Sequence, residues 1–304
     1  MSIVTLTELR YFVTLARLRH FGRSAQACHV SQPTLSQALR KLEADWGVCL
    51  FERLRQDVRL TAAGERLLPQ AQRVLDETER LQALIKGHDE TELPLRLGCI
   101  FTVAPYLLPQ LVESLRRQPP PLRLLIEENY THLLLERLQL GELDAILIAD
   151  AGDLPGLRTH VLYQEDFFAL LPASHPAAGR DDLHPGEIAE EDVLLLGEGH
   201  CLRDQVLISC PSWQEAAQTS ALPSGSSLQT ISHMVALGMG VSVAPASALP
   251  SLLASSAALV ARPLRPGGSR RIALVHRDKP GRPAALRLLL QALQGLHLAG
   301  TRSV

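Results

Sequence analysis

The sequence predicts an α/β protein in three parts: a small N-terminal helix–turn–helix with a wing, a long linker helix, and a two-lobed α/β body. Three observations carry this reading. Residues 1–60 hold nine Arg/Lys against five Asp/Glu, a net of +4, so the remaining residues carry −6 of the chain's total of −2. A small basic piece on an acidic body suggests a polyanion-binding module joined to something else. An apolar seam with heptad steps follows it, and beyond that, apolar strands alternate with amphipathic helices.

The head comes first. ELRYFVTLARL places Leu9, Phe12, Val13, Leu15, Ala16 and Leu18 at helical spacing. His20-Phe21-Gly22-Arg23 interrupts the pattern, and Ser24 is the expected cap of a short second helix, SAQACHV. In VSQPTLSQALRKLEADWG, Ser31 is the expected N-cap, Pro33 sits where its missing N–H costs least, and Gly47 ends the helix. Leu35, Leu39 and Leu42 form the inner face of this third helix. Gln32, Thr34, Ser36, Gln37, Arg40 and Lys41 form an outer face able to donate to base edges and phosphates. LFER and DVRLTAAG, separated by a polar turn, predict a two-stranded wing carrying Arg53.

The linker comes next. Leu67, Ala71, Val74, Thr78, Leu81 and Ile85 alternate steps of four and three, a seam suited to dimerisation, with Pro69 early in the helix. Two heads held together read two half-sites. Gly87 to Thr91 is the expected flexible junction.

In the body, LPLRLGCI, PLRLLIEE and LDAILIA predict strands, and APYLLPQLVESLRRQ and THLLLERLQLG predict helices, giving a parallel twisted sheet. Residues 161–171 predict a strand crossing into a second lobe. There DVLLLGE and VSVAP predict strands, and CLRDQVLIS and SSLQTISHMVALG predict helices. RRIALVHR and AALRLLLQALQGL return to the first lobe. Lobe I is expected over about 91–164 and 270–304, lobe II over about 165–269, with a cleft between them. Thr102 and Thr131 are expected to open helices at that cleft, either as simple N-caps or as donors to a bound molecule.

Composition sets bounds. No basic start followed by an apolar run opens the chain, and no apolar run reaches about 18 residues, so a cytosolic protein without a membrane span is expected. Five cysteines make no disulfide scaffold, and in a reducing compartment any disulfide would be transient. Cys28, Cys49 and Cys99 read as core or half-buried residues.

GHCLRDQVLISC holds the other two. Cys201 should begin a helix, where the dipole and the neighbouring His200 and Arg203 favour an anion. Nine helical steps separate Cys201 from Cys210 by roughly 13.5 Å along the axis. A disulfide needs Cα atoms about 5.5–6 Å apart, so the pair never bonds or the segment must unwind to bond. Spacing alone favours two inert buried cysteines. A zinc site lacks a second close Cys/His pair.

AQACHVSQPTLSQALRKLEADWGVCLFER and LTAAGERLL resemble the winged helix–turn–helix of LysR-type transcriptional regulators. GHCLRDQ followed by Cys210, with FTVAPYLLP, THLLLERLQLGELDAILIA, MVALGMGVSVAP and RRIALVH, is similar to the hydrogen-peroxide-sensing branch of that family, over essentially the whole chain. The resemblance implies a periplasmic-binding-protein-like effector domain. It implies Cys201 as the peroxidatic cysteine and Cys210 as its resolving partner, with Thr102, Thr131, His200, Asp204 and Arg270 around the peroxide. It implies DNA contacts from Ser31, Gln32, Pro33, Thr34, Ser36, Gln37, Arg40, Lys41 and Arg53. The partners implied are double-stranded promoter DNA, hydrogen peroxide, further copies of the chain in a dimer or tetramer, RNA polymerase, and a thiol reductant such as glutaredoxin or thioredoxin. No cofactor and no metal are implied. PSWQEAAQTSALPSGSS departs from the family in its Ser, Ala and Pro content, and Gln229 stands where an acidic residue is usual. Two other readings stay open: a regulator responding to an organic metabolite in the cleft, with structural cysteines, and a thiol peroxidase, against which the DNA-reading head argues.

Overall fold

A computed structural model describes residues 4–53, 58–85, 91–117, 121–188, 193–211, 213–214 and 227–304. The head opens with α1, Leu6–Leu18, held by a reciprocal cap in which the Glu8 N–H donates to Thr5 Oγ1 (3.2 Å) and the Thr5 N–H donates to Glu8 Oε2 (2.9 Å). The second helix, α2, spans Phe21–Ala27 and starts earlier than the sequence predicts. His20 caps it instead of Ser24, its Nδ1 accepting from the Arg23 N–H at 3.2 Å. Ser24 is buried within the helix, its hydroxyl donating to the His20 carbonyl. α3, Gln32–Trp46, starts at the Ser31 cap and ends at Gly47, whose φ of 69° suits a residue without Cβ. Leu35, Leu39 and Leu42 are buried as expected, and Phe12 meets Trp46 and Phe51 edge-on. β1 (Phe51–Arg53) and β2 (Val58–Leu60) pair antiparallel to form the wing.

The linker helix α4 spans Ala62–Ile85 and passes through Pro69 without ending. Its 24 residues extend roughly 36 Å. Leu68 and Ala71 join the head's core, whereas Leu81 and Ile85 of the predicted seam are 58% and 77% exposed. The expected junction at 87–90 lies outside the described residues.

The body follows the predicted order with one change of direction. β3 (Leu95–Cys99), α5 (Ala104–Arg116), β4 (Leu124–Glu128), α6 (Thr131–Gln139) and β5 (Ala145–Ala149) build a parallel unit, β3 pairing with β4 and β5. β6, Leu157–Pro172, is the crossing strand. It pairs antiparallel with β9, Ser269–Arg277, up to Asp166, and from Phe167 onward with β7, Ser242–Pro245, and β8, Leu259–Pro263. The sheet is therefore mixed, ordered β10-β6-β9-β5-β3-β4, with β10 at Thr301–Ser303. The parallel expectation fails for β9 and β6 because both return between lobes rather than over a helix on one face. Lobe II adds α7 (Cys201–Ser209), α8 (Leu228–Ala236) and α9 (Leu249–Ala254), and α10 (Pro283–Gln294) packs back on lobe I. Among the described residues, the strand expected over 192–198 is reduced to isolated bridges at Val193, which pairs with Val241, and at Leu196, although Val193 to Leu196 are buried. Residue 192 and most of the Ser/Ala/Pro-rich stretch after Cys210 lie outside the described residues. Among the described residues, no helix is long and apolar enough to cross a membrane.

Three cores result, one for the head, one for lobe I and one for lobe II. Head and linker rest on lobe I. Arg17 pairs with Glu142 (3.3 Å), Arg19 with Glu136 (2.7 Å), and Arg277 at the end of β9 with Asp76 of α4 (3.1 Å). Gly141, at φ 71°, leaves room for the Gln72 side chain, which a Cβ there would meet at 2.2 Å.

Candidate functional site

The site lies where the C-terminal ends of β3 and β4 in lobe I meet the N-terminus of α7 in lobe II. Ile100, Phe101, Thr102, Asn129, Tyr130, Thr131, Gly199, His200 and Cys201 enclose a cavity of about 10 Å³. That is room for about one water-sized molecule. Phe101, Tyr130 and His200 meet around it edge-on or tilted, with ring centroids 5.0–5.6 Å apart. Gly199, at φ 90°, lets the chain turn against the Tyr130 ring before His200 starts the helix.

Cys201 is the first residue of α7 and half-buried; Cys210, its C-terminal boundary, is buried, and both thiols are free. The helix between them is regular, so the sulfurs are held far apart along it. Burial pushes the Cys210 thiol up to about 11. Burial also lowers His200, which disfavours its cationic form. Arg203 donates to the Leu196 carbonyl at 3.0 Å.

The cation of the site is Arg270, the second residue of β9, fully buried. Its Nη1 donates to Thr102 Oγ1 (2.8 Å), its Nη2 to the Thr102 carbonyl (3.0 Å) and its Nε to Glu165 Oε1 (2.9 Å). Glu165 Oε2 in turn accepts the Ser247 N–H at 2.9 Å. Burial works against the guanidinium charge, but Glu165, Cys201 and Tyr163 more than offset it, so the group stays charged.

Neither threonine caps a helix: Val103 caps α5 and Tyr130 caps α6. Thr102 is buried before α5, and the Thr131 hydroxyl is buried with no partner among the described residues. The structure thus brings together Thr102, Thr131, His200 and Cys201, with Arg270 behind Thr102. Asp204 is exposed in the first turn of α7 and does not line the cavity. Glu165, Phe101 and Tyr130 were missed. Glu165 had a signal, a carboxylate at an inward position of an alternating strand, which demands a buried cation. Among the described residues, no group of three or more His, Cys, Asp or Glu could hold a metal ion.

Of the remaining cysteines, Cys99 is fully buried, which raises its thiol well above the ordinary range, and Cys28 is half-buried. Cys49 is exposed, contrary to its reading as a packed residue, because it falls between α3 and the wing.

On the head, Ser31, Gln32, Pro33, Thr34, Gln37, Arg40 and Lys41 are exposed and Ser36 is half-buried. Ser31 Oγ accepts the Thr34 N–H and bonds the Thr34 hydroxyl at 2.8 Å. Lys41 is held by Glu8 (2.8 Å) and Asp45 (3.3 Å). Arg53 ends β1, and its side chain lies outside the described residues.

Residues 6–65 match the bacterial regulatory helix-turn-helix proteins of the lysR family, and residues 88–297 match the LysR substrate binding domain. The chain is 38% identical over 281 residues to a hydrogen peroxide-inducible genes activator from Pectobacterium carotovorum subsp. carotovorum, covering 92% of each. It is 37% identical to the DNA-binding transcriptional dual regulator OxyR of Escherichia coli K12, over 92% of this chain and 91% of that one. Among solved structures it is similar to a full-length OxyR from Pseudomonas aeruginosa with a cysteine-to-aspartate substitution, at TM-score 0.77, 42% identity and 99% of both chains. A hydrogen-peroxide-bound Corynebacterium glutamicum OxyR carrying a cysteine-to-serine substitution matches at TM-score 0.62 and 36% identity, over 96% of this chain and 92% of that one.

Proposed function

The chain belongs to the LysR family of bacterial transcriptional regulators, and from that premise we propose that it senses hydrogen peroxide through a reversible Cys201–Cys210 disulfide. One observation carries the reading: a half-buried thiol at a helix N-terminus opens on a cavity of about 10 Å³ lined by two hydroxyls and backed by a buried arginine. That volume suits peroxide and is far too small for an organic metabolite.

The Cys201 sulfur, as thiolate, attacks one peroxide oxygen. The S–O bond forms as the O–O bond breaks, and hydroxide leaves and takes up a proton. Thr102, Thr131 and His200 hold the peroxide, and Arg270 stabilises the charge around the reacting atoms. Cys210 then attacks the Cys201 sulfenic sulfur, forming the S–S bond and releasing water. A dithiol reductant such as glutaredoxin or thioredoxin returns two electrons and resets the pair. Because helix and disulfide exclude each other, oxidation unwinds α7 and repacks lobe II. The chain is a stoichiometric switch rather than a turnover enzyme.

The readout is DNA. Residues 1–60 form the reading head, 61–90 the dimerising linker, and 91–304 the sensor, with lobe I about 91–164 and 270–304 and lobe II about 165–269. Gln32, Thr34, Gln37 and Arg40 reach base edges, Ser31, Pro33, Ser36 and Lys41 set the helix and its phosphate contacts, and Arg53 adds a phosphate contact from the wing. Two or four copies bind promoter sites in the cytoplasm and contact RNA polymerase. Thiol mapping by mass spectrometry before and after sub-millimolar peroxide tests the proposal. A Cys201–Cys210 disulfide is expected, together with altered DNA contacts that Cys201→Ser abolishes. A Cys201→Ser chain that still switches fully on peroxide would sink it.

A further inference from the structure

Building on the peroxide-sensing reading, we infer that Glu165 is a positioning residue of the sensor: through Arg270 it turns the Thr102 hydroxyl into a hydrogen-bond donor for the cavity.

The argument starts from strand register. Glu165 and Arg270 stand directly opposite each other on β6 and β9, and both side chains are fully buried. A buried guanidinium can rotate about its bonds unless its N–H groups are engaged. Here Nε is fixed by Glu165 Oε1, and Glu165 is itself fixed through Oε2 by the Ser247 N–H. With the plane set, Nη1 and Nη2 point at the two oxygens of Thr102.

Polarity follows from the chemistry of the groups. A guanidinium only donates, so Thr102 Oγ1 must accept from Arg270. Its own O–H hydrogen is then left for another acceptor, and Thr102 lines the cavity. The Thr131 hydroxyl, which also lines the cavity, is buried and has no partner among the described residues, so it remains free to donate or accept. The cavity therefore has one fixed donor and one adaptable hydroxyl. When the Cys201 sulfur attacks one peroxide oxygen, the other leaves as hydroxide and accumulates negative charge. A preoriented donor lowers that barrier; a hydroxyl free to flip gives part of the effect away to reorientation.

Glu165 touches neither the cavity nor Cys201, so its effect must pass through Thr102. That separates it from general support of the fold. Glu165→Gln keeps the size of the side chain and one acceptor for Arg270 Nε. It presents an amide N–H₂ to the Ser247 N–H, so the clamp is weakened without leaving a void.

The experiment uses the full-length Cys210→Ser chain, in which oxidation stops at the sulfenic acid, trapped with dimedone and followed by mass spectrometry. Glu165→Gln is expected to slow Cys201 oxidation roughly tenfold or more, the scale of losing one preorganised donor. Thr102→Val slows it similarly. The double variant should be no slower than Thr102→Val alone, and Glu165→Asp, which keeps the charge on a shorter arm, should restore part of the rate. Multiplicative effects in the double variant, or an unchanged rate in Glu165→Gln, overturn the inference. If Glu165→Gln fails to fold by circular dichroism, the same cycle with Glu165→Asp decides: a slowed rate that vanishes into the Thr102→Val background supports the inference, and any other pattern overturns it. Absence of peroxide oxidation in the parent chain would instead remove the sensing reading itself.

Discussion

Cys210 is the side chain whose environment must change most if the pair is to close. It is buried at the end of α7, and burial holds its thiol at about 11, against 9.0 for an unperturbed cysteine. The folded state therefore keeps a proton that the unfolded chain releases first. A raised thiol of this kind costs nothing below pH 9, and stability falls as pH rises through the window from 9 to about 11. In the Cys201→Ser chain, denaturant midpoints should drop across that window, and the drop should shrink in a Cys201→Ser/Cys210→Ser chain to the part that buried Cys99 contributes. An unchanged drop would place its origin elsewhere. At this scale the sequence read well where a residue's chemistry is local. Cys201 at a helix start and the hydroxyls after two strands were legible. Glu165 signalled only the need for a buried cation; which one was illegible, because its partner lies 105 residues away and only strand register brings them together. The burial that disfavours the His200 cation was illegible for a similar reason, since Phe101 and Tyr130 come from other elements.

Among elements, α3 and α4 show the two limits of legibility. The bounds of α3 follow from Ser31 and Gly47, both written in adjacent residues. The start of α2 was misplaced because a histidine ring nitrogen can cap as a hydroxyl does. In α4 the predicted seam divides: Leu67 and Ala71 pack into the head's core, while Leu81 and Ile85 are left in solvent by a single chain. Burying those two against a second copy removes a costly apolar stripe. Leu81→Glu combined with Ile85→Lys should lower the mass seen by light scattering toward one chain. It should also weaken binding to a two-half-site DNA by about tenfold or more, leaving Cys201 oxidation unaltered. A chain that stays associated would refute the seam. Strand direction was the element-level failure. Alternating strand and helix patterns predict parallel neighbours, and nothing local in β9 announces that it arrives from the other lobe.

At the scale of the whole molecule, the head is seated on lobe I by pairs of unequal strength. Arg19–Glu136 is exposed and should contribute below about 1 kcal/mol. Arg277–Asp76 is nearly buried, and Arg277 also donates to the Leu138 and Leu143 carbonyls. Removing its carboxylate partner leaves a buried cation with only two carbonyls and the more distant Asp144 to offset its charge. Asp76→Asn should therefore destabilise the chain by about 3 kcal/mol, while Arg19→Ala changes thermal melts little. Equal effects would mean that the docking is no tighter at Asp76 than at the surface.

β9 has a further consequence. It carries Arg270 near one end and Arg277 at the other, an odd number of residues apart. Alternation along a strand therefore sends the two arginines to opposite sides of the sheet. The sheet is a partition, with peroxide chemistry on one side and the DNA head's anchor on the other. β9 is pinned along both margins by β5 and β6, so it cannot slide without exchanging its faces. A disturbance at Arg270 can cross to the anchor only if the partition tilts as one plate; otherwise it must travel around the rim.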